Sequence, residues 1–162
     1  MIKPLTPSDL PRAAEVIRAS FATVAGEFGL TEQNCPRHTA FATTAESLAA
    51  YLAAGALMYG LYEEGRLVGY ASLTENRRRV FELHNLAVLP ACRHKGYGMQ
   101  LLDFCIGKVR ELGGGKIILS IIEENTVLKG WYASKGFVHT GAKKFEGFPF
   151  TAGFMEMTIT EV

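Results

Sequence analysis

The stretch LAVLPACRHKGYGMQLL runs from Leu86 to Leu102. It begins as an apolar, strand-forming run, breaks at Pro90, and passes through a basic loop with two glycines into an amphipathic helix. The first N–H groups of a helix have no intrahelical partner, and the aligned peptide dipoles leave positive charge there. The stretch therefore predicts a strand–loop–helix unit with an anion site at the helix start.

The composition of this loop suits a diphosphate group. Arg93, His94 and Lys95 add positive charge, and Gly96 and Gly98 allow an anion to approach the backbone closely. The spacing matches neither Gly-x-x-x-x-Gly-Lys-Ser/Thr nor Gly-x-Gly-x-x-Gly, so neither a P-loop nor a dinucleotide-binding turn is predicted. We interpret the loop as a pyrophosphate cradle, and the alternative is a tight turn with solvated basic side chains.

Length and charge bound the classes of function. The chain of 162 residues, 48% of them hydrophobic, is long enough for one domain over residues 1–162 with a substantial core. A formal net charge of +1 gives no field that would favour nucleic acid or an anionic membrane. The three cysteines lack metal-ligand spacing, so we predict no metal site and a reducing, cytoplasmic setting. We recognise no signal peptide or membrane-spanning run.

Two patterns outside the loop carry expectations about local structure. Thr43 and Glu46 have the spacing of a capping box and predict a helix start at Thr43. The nearly continuous apolar run Lys116–Ile122 predicts a strand that is covered on both faces. The other predicted elements are strands at 2–5, 56–63, 67–74, 80–89, 137–144 and 148–160, and helices around 13–21, 44–54, 99–112 and 125–134.

The strand that leads into the loop carries two titratable side chains. In an unbroken strand over 80–89, alternate residues point to the same side of the sheet. This spacing places four residues on one face: Glu82, His84, Leu86 and Val88.

The loop resembles a known family signature. Its pattern Arg93-x-x-Gly96-x-Gly98 is similar to the acyl-CoA signature Arg/Gln-x-x-Gly-x-Gly/Ala of the GNAT superfamily of N-acetyltransferases. A second pattern of that family is found downstream, where Asn125 is followed by Tyr132 and then by Gly136-Phe137; Lys129 replaces a common alanine. The two motifs and the order of elements extend the resemblance over almost the whole chain.

The resemblance implies an α/β (α+β) fold. We expect a mixed, mostly antiparallel, twisted sheet of six to seven strands with helices on both faces. The sheet should splay near Leu89 and Ser120, where the pantetheine arm of acetyl-CoA would lie. The residues expected to bind this cosubstrate are Leu86, Ala87, Val88, Arg93, His94, Lys95, Gly96, Tyr97, Gly98, Met99, Asn125 and Tyr132.

The activity implied is the transfer of an acetyl group to a primary amine by direct attack in a ternary complex. Tyr132 is expected to protonate the departing thiolate, because its hydroxyl is a donor. Glu82 is the expected base, His84 the alternative base, and a backbone N–H near Val88 would polarise the thioester. Each has a structural alternative: a packed tyrosine, a solvated glutamate, a hydrogen-bonded histidine and, for Asn125, a helix cap.

Two other functions remain open at this point. The chain could be an inactive acyl-CoA sensor or partner module of the same fold, or a mononucleotide-binding enzyme that uses the same anion loop. The region from Phe28 to Thr43, with Cys35 and His38, carries no motif that identifies the acceptor amine. A homodimer is compatible with the family resemblance.

Overall fold

The computed structural model describes residues 1–160, which form a seven-stranded sheet with helices on both sides. The strands are β1 (Ile2–Pro4), β2 (Leu57–Glu63), β3 (Arg66–Arg77), β4 (Val80–Val88), β5 (Lys116–Ile122), β6 (Val138–Lys144) and β7 (Thr151–Thr158). The α-helices are α1 (Leu10–Glu27), α2 (Thr39–Ala42), α3 (Ala45–Ala53), α4 (Tyr97–Glu111) and α5 (Thr126–Ser134). Within residues 1–160, no helix combines the length and apolarity needed to cross a membrane.

The strands lie in the order β1-β2-β3-β4-β5-β7-β6. Strands β4 and β5 are parallel and are connected through α4, whereas the other neighbouring strands are antiparallel. A parallel connection needs a crossover of this kind, because the chain must return to the same end of the sheet. The predicted mixed, mostly antiparallel sheet with flanking helices is confirmed.

Two apolar layers sandwich the sheet. On one side, Leu101, Leu102 and Cys105 of α4 pack with the inward side chains of β3, β4 and β5 and with Tyr132 of α5. On the other side, residues of α1 and α3 pack over Tyr70 and its neighbours on β2, β3 and β4. Burial of these apolar surfaces is the main source of the stability of the fold.

The second face of β5 is not covered as predicted. Ser120 is exposed and Ile118 is only half-buried, whereas Ile117 and Leu119 on the opposite face are buried. Helices α1 and α3 lie over the first strands of the sheet and leave this part of β5 open. The apolar composition of β5 therefore indicated burial correctly for one face, whereas on the other face only Ile122, at the end of the strand, is buried.

Strand β4 contains a β-bulge. Ser72 pairs with His84 and Tyr70 pairs with Ala87, so β4 has one more residue than β3 in this interval. Asn85 adopts a φ of 53°, a left-handed conformation that asparagine tolerates better than most residues. An extra residue of this kind shifts the alternation of side chains that follow it by one position.

The bulge changes which side chains share a face. Glu82 and His84 remain together on the side of α1, but Leu86 and Val88 pack into the apolar layer beneath α4. The expectation that all four share one face was wrong, because it assumed an unbroken strand.

Helix α3 begins one residue later than predicted. Thr44 is its N-cap: its Oγ1 accepts from the Ser47 N–H at 3.0 Å, and the Ser47 hydroxyl oxygen accepts from the Thr44 N–H at 2.9 Å. The predicted box of Thr43 and Glu46 was wrong. Thr43 instead donates its hydroxyl to the Thr39 carbonyl at 2.8 Å, at the end of α2.

Candidate active site

A gap opens between the C-terminal halves of β4 and β5. Their pairing ends at Glu82 and Ile118. Beyond these residues, β4 pairs with β3 and β5 pairs with β7, but the two strands no longer pair with each other. The sheet is therefore splayed, and the splay begins several residues before the predicted positions at Leu89 and Ser120.

The peptide groups of Val88 face this gap. The Leu89 N–H donates to the Val68 carbonyl at 2.9 Å, so the paired residues Val88 and Gly69 are of the type that exchange no hydrogen bonds. Peptide groups in such a position point away from the paired strand, here away from β3. The Val88 N–H therefore points into the gap between β4 and β5.

The predicted anion loop lies directly after β4, at the open end of the gap. His94 and Gly96 have positive φ values of 64° and 80°, and left-handed residues in a tight turn direct neighbouring N–H groups to one side. Among the described residues, the backbone N–H groups of residues 94–99 have no protein acceptor. No atom lies within 4 Å of the position that a Cβ would take at Gly96. The loop therefore presents free amides to an open space.

The guanidinium of Arg93 is engaged by α1. Its Nη2 donates to the Ser20 carbonyl at 3.0 Å and to the Thr23 hydroxyl at 3.0 Å. These bonds attach the loop to the helix on the opposite side of the gap. Arg93 thus positions the loop, whatever further contact its side chain makes with a ligand.

Lys95 and Tyr97 meet at one carboxylate. Glu63, at the end of β2, accepts from the Tyr97 hydroxyl and lies 3.0 Å from the Lys95 ammonium. These two hydrogen bonds, from Tyr97 first and Lys95 second, lower the pKa of Glu63. Lys95 therefore has a local counter-ion, whereas the side chain of His94 is exposed beside the free amides of the loop.

Glu82 and His84 are joined to two residues of β3 in a closed ring. Asn76 donates its amide N–H to Glu82 Oε1 at 2.6 Å, and the Thr74 hydroxyl donates to Asn76 Oδ1 at 2.8 Å. His84 Nε2 lies 2.9 Å from Thr74 Oγ1, and His84 Nδ1 lies 3.4 Å from Glu82 Oε2. The structure thus brings the two expected bases together.

A trough of about 280 Å³ lies beside Glu82 and is lined by residues of β5, β6 and β7. Its lining residues are Glu82, Ile118, Leu119, Ser120, Thr140, Phe154 and Met155. The lining combines one carboxylate and two hydroxyl groups with apolar residues, so it suits an organic molecule with a polar end near the carboxylate.

Tyr132 is 6% exposed and lies in the apolar layer beneath α4. Its ring contacts Trp131 and Phe137 edge-on, at centroid distances of 5.0 and 5.4 Å. Burial, with a smaller contribution from Cys105, raises the pKa of the Tyr132 hydroxyl. The phenol is therefore protonated over the physiological range, as a proton donor must be.

The remaining candidate residues lie around α4 and α5. Asn125 caps α5, because its Oδ1 accepts from the Leu128 N–H at 3.1 Å. Gly98 lies against the ring of Trp131: the position that a Cβ would take at Gly98 is 3.8 Å from the indole. Met99 is exposed in the first turn of α4. The expected structural role of Asn125 as a cap is thus present.

The region from Phe28 to Thr43 is partly packed: Leu30, Cys35, His38, Ala40 and Thr43 are buried, and residues 31–34 are exposed. Cys35 and Ile122 belong to an apolar cluster that includes aromatic residues of the β6–β7 connection. Burial raises the pKa of the Cys35 thiol, and the His38 Nδ1 accepts from the Ala40 N–H at 3.2 Å. Cys35 thus contributes to packing, and His38 caps the start of α2.

Three side chains that contact the candidate residues were not predicted: Thr74, Asn76 and Glu63. Thr74 and Asn76 lie near Glu82 because of the β3–β4 register, in which Thr74 pairs with Glu82. That register depends on the turn at residues 78–79, which the sequence did not identify. Glu63 lies far from the loop in sequence, and only the tertiary structure brings it there. Within residues 1–160, no group of three or more His, Cys, Asp or Glu side chains could hold a metal ion.

Curated relatives of this chain are N-acetyltransferases by name. An uncharacterized N-acetyltransferase of Mycobacterium bovis is 29% identical over 82 residues, which cover 51% of this chain and 53% of that protein. The chain thus spans about half the length of the mycobacterial relatives it matches. An uncharacterized N-acetyltransferase of Lactobacillus delbrueckii subsp. lactis is 26% identical over 136 residues, or 79% of this chain and 78% of that one.

Solved structures share the whole fold. The PaiA N-acetyltransferase from Thermoplasma acidophilum, in complex with coenzyme A, superposes with a TM-score of 0.82 at 21% identity and 98% coverage of both chains. The ribosomal-protein-S18-alanine N-acetyltransferase from Escherichia coli gives 0.80 at 20% identity, over 100% of this chain and 95% of that one. The model of the acetyltransferase (GNAT) family matches residues 27–137. With this match over more than half of its length, the chain belongs to the acetyltransferase (GNAT) family.

Proposed function

We propose that this protein transfers an acetyl group from acetyl-CoA to a primary amine by direct attack in a ternary complex. The observation that carries the proposal is the gap between β4 and β5, which has free amides at one end and Glu82 at the other. Solved structures of the same fold are described with coenzyme A or acetyl-CoA. A donor in the gap and an acceptor in the trough would meet beside Glu82.

The diphosphate of the donor would bind the amides of residues 94–99. Free N–H groups at the start of a helix of 15 residues favour an anion, and His94 adds a donor beside them. Leu86, Ala87 and Val88 would line the gap along the pantetheine arm, and Asn125 and Met99 would contact it from α5 and α4. The empty space over Gly96 fits a group of this size.

The chemical step requires polarisation of the thioester and a proton for the leaving group. The Val88 N–H would donate to the thioester oxygen and stabilise the negative charge that develops there. The amine nitrogen then forms a bond to the carbonyl carbon, and the carbon–sulfur bond breaks with its electron pair on sulfur. Tyr132 would supply the proton that the sulfur needs.

The amine itself must lose a proton before it attacks. An alkyl amine has a pKa of about 10.4 and is mostly protonated near neutral pH. Glu82 lies at the trough, and the pair that it forms with His84 would accept this proton. The three cysteines at positions 35, 92 and 105 are buried and unpaired, which supports the further proposal of a reducing, cytoplasmic location.

The test is an assay of CoA release from acetyl-CoA over a panel of small amines, amino acids, polyamines and peptide N-termini. Wild-type protein should release CoA with at least one acceptor, and Glu82→Gln should lower kcat about tenfold with an altered pH–rate profile. Acetyl-CoA binding without CoA release in the presence of any amine would instead identify an acyl-CoA-binding module. An unaltered profile in Glu82→Gln would remove Glu82 as the base.

A further inference from the structure

The ring of Thr74, Asn76, Glu82 and His84 has four contacts, and a count of its hydrogens shows what it lacks. Asn76 supplies one amide hydrogen, Thr74 one hydroxyl hydrogen, and a neutral His84 one ring hydrogen. An ionised Glu82 supplies none. Three hydrogens serve four contacts, so at one contact two acceptors face each other.

The orientation of the groups follows from Glu82. A carboxylate only accepts, so the Asn76 amide must turn its NH₂ toward Glu82 and its Oδ1 toward Thr74. Thr74 then donates its single hydrogen to Oδ1 and can only accept from His84. His84 must therefore carry its hydrogen on Nε2, which leaves the Nδ1 lone pair facing Glu82.

The distances agree with this assignment. The three contacts that contain a hydrogen measure 2.6, 2.8 and 2.9 Å. The His84 Nδ1 to Glu82 Oε2 contact measures 3.4 Å, which is long for a charge-assisted hydrogen bond. In the opposite tautomer of His84, Thr74 could serve only one of its two neighbours, so two acceptors would face each other without a hydrogen either at the 2.8 Å contact with Asn76 or at the 2.9 Å contact with His84 Nε2. Two negative partial charges repel more strongly at either of these distances than at the 3.4 Å between His84 and Glu82.

We propose that Thr74 and Asn76 are positioning residues that hold His84 in the Nε2–H tautomer. In this tautomer, His84 Nδ1 and the Glu82 carboxylate together bind the proton that the acceptor ammonium loses. This inference rests on the proposed acetyl transfer. An N–H bond of the acceptor ammonium breaks, and its electron pair stays on the amine nitrogen, which becomes the nucleophile. The proton binds to His84 Nδ1, and the resulting Nδ1–H donates to Glu82 Oε2. This Nδ1–H is the fourth hydrogen of the ring.

The first test measures the tautomer and needs no substrate. Nitrogen-15 NMR of the full chain at about pH 8.5, where imidazoles are neutral, should show His84 mainly as the Nε2–H tautomer; His84→Gln identifies its signals. Thr74→Val removes the accepting oxygen at similar volume and should give a mixture of tautomers, whereas Thr74→Ser should retain the wild-type pattern. A wild-type His84 protonated mainly on Nδ1 would overturn the proposal.

The second test measures turnover. Thr74→Val should lower kcat about tenfold, a fraction of a full base effect, with the KM for acetyl-CoA unchanged, and Thr74→Ser should restore most of it. Thr158→Val, at an exposed position on β7, is the matched control and should keep the wild-type kcat. A wild-type kcat in folded Thr74→Val would contradict the proposal.

The two tests separate failure of the ring from failure of the proposed activity. If the wild type turns over no amine, the proposed function and its proton-transfer step both fail, even where NMR finds the Nε2–H tautomer. If the wild type turns over amines but His84 lacks that tautomer, acetyl transfer stands and the positioning role of Thr74 fails.

Discussion

On one face of the sheet, α4 and α5 cover a continuous apolar layer in which Leu102 and Cys105 are fully inaccessible. On the other face, α1 and α3 cover β2, β3 and β4, and the neighbouring surface of β5, β6 and β7 stays open, with Ser120 of β5 and Thr140 of β6 exposed. The same strand, β5, thus contributes side chains to a closed core and to a trough. We infer that the covered face supplies stability and the open face receives the acceptor.

The largest effect should follow a truncation on the covered face. Leu102→Ala removes a fully buried side chain and should lower the free energy of unfolding by about 3 kcal/mol, since it leaves a cavity. Thr140→Ala on the open face should change it by less than about 0.5 kcal/mol. Urea unfolding measures both, and equal losses would contradict the division between the two faces.

Tyr132 is the exception on the covered face, because we assign it a chemical role. Tyr132→Phe keeps the packed ring and removes the hydroxyl, so it should lower kcat about 100-fold while the acetyl-CoA KM stays unchanged. Its melting temperature should remain close to that of the wild type. Steady-state kinetics measure the effect, and unchanged turnover would leave Tyr132 as a packing residue only.

Alkaline pH should lower the free energy of unfolding through a buried thiol on the covered face. Burial raises the pKa of the Cys105 thiol from 9.0 to about 12. As pH rises above 9.0, the unfolded chain loses this proton first, so the stabilisation is complete below pH 9.0 and is lost progressively up to the folded pKa. The free energy of unfolding should fall by about 1–2 kcal/mol between about pH 8.5 and 10.5.

Cys105→Ala is the control for this pH effect. The cavity that this substitution leaves should lower the free energy of unfolding equally at about pH 8.5 and about pH 10.5. The part of the decrease with pH that comes from the thiol should disappear. Tyr70 on the other face, whose pKa burial raises to about 12, keeps its own contribution. An identical slope in wild type and Cys105→Ala would refute the role of the thiol.

The smallest effect concerns the loop that joins the two faces. Gly96→Ala places a side chain at a φ of 80° and should cost about 1 kcal/mol of stability and weaken acetyl-CoA binding. Gly107→Ala, at an exposed site in the middle of α4 with no atom near its Cβ position, should raise stability by about 0.5–1 kcal/mol. Calorimetry with and without acetyl-CoA measures both changes, and equal affinity in Gly96→Ala would dissociate the turn from donor binding.

The loop and the ring show how far sequence reasoning reaches. The anion loop was predicted from adjacent residues, because a break at Pro90 and glycines before an apolar helix define it locally. The ring was only half predicted, because Thr74 and Asn76 meet Glu82 through the pairing of β3 with β4. The register of β3 and β4 depends on which residues form the turn between them. The three consecutive arginines at positions 77–79 do not indicate which of them form that turn.

Asn85 marks the limit of periodicity. In this bulge Asn85 adopts a left-handed conformation, and asparagine permits that conformation without requiring it. The pattern alone therefore could not show that Leu86 and Val88 turn to the other face from Glu82. Likewise, the apolar run of β5 could not show that α1 stops short of covering it.

By itself, the sequence indicated the family, most of the strands and helices and the position of the strand–loop–helix unit around residues 86–102, because these depend on residues close together in the chain. The tertiary structure decided where the sheet splays, which face of β5 stays open and how Glu63 holds Lys95 and Tyr97. It also decided that His84 faces Glu82 with its Nδ1. These features depend on strand register and on contacts between distant segments, which local patterns do not encode.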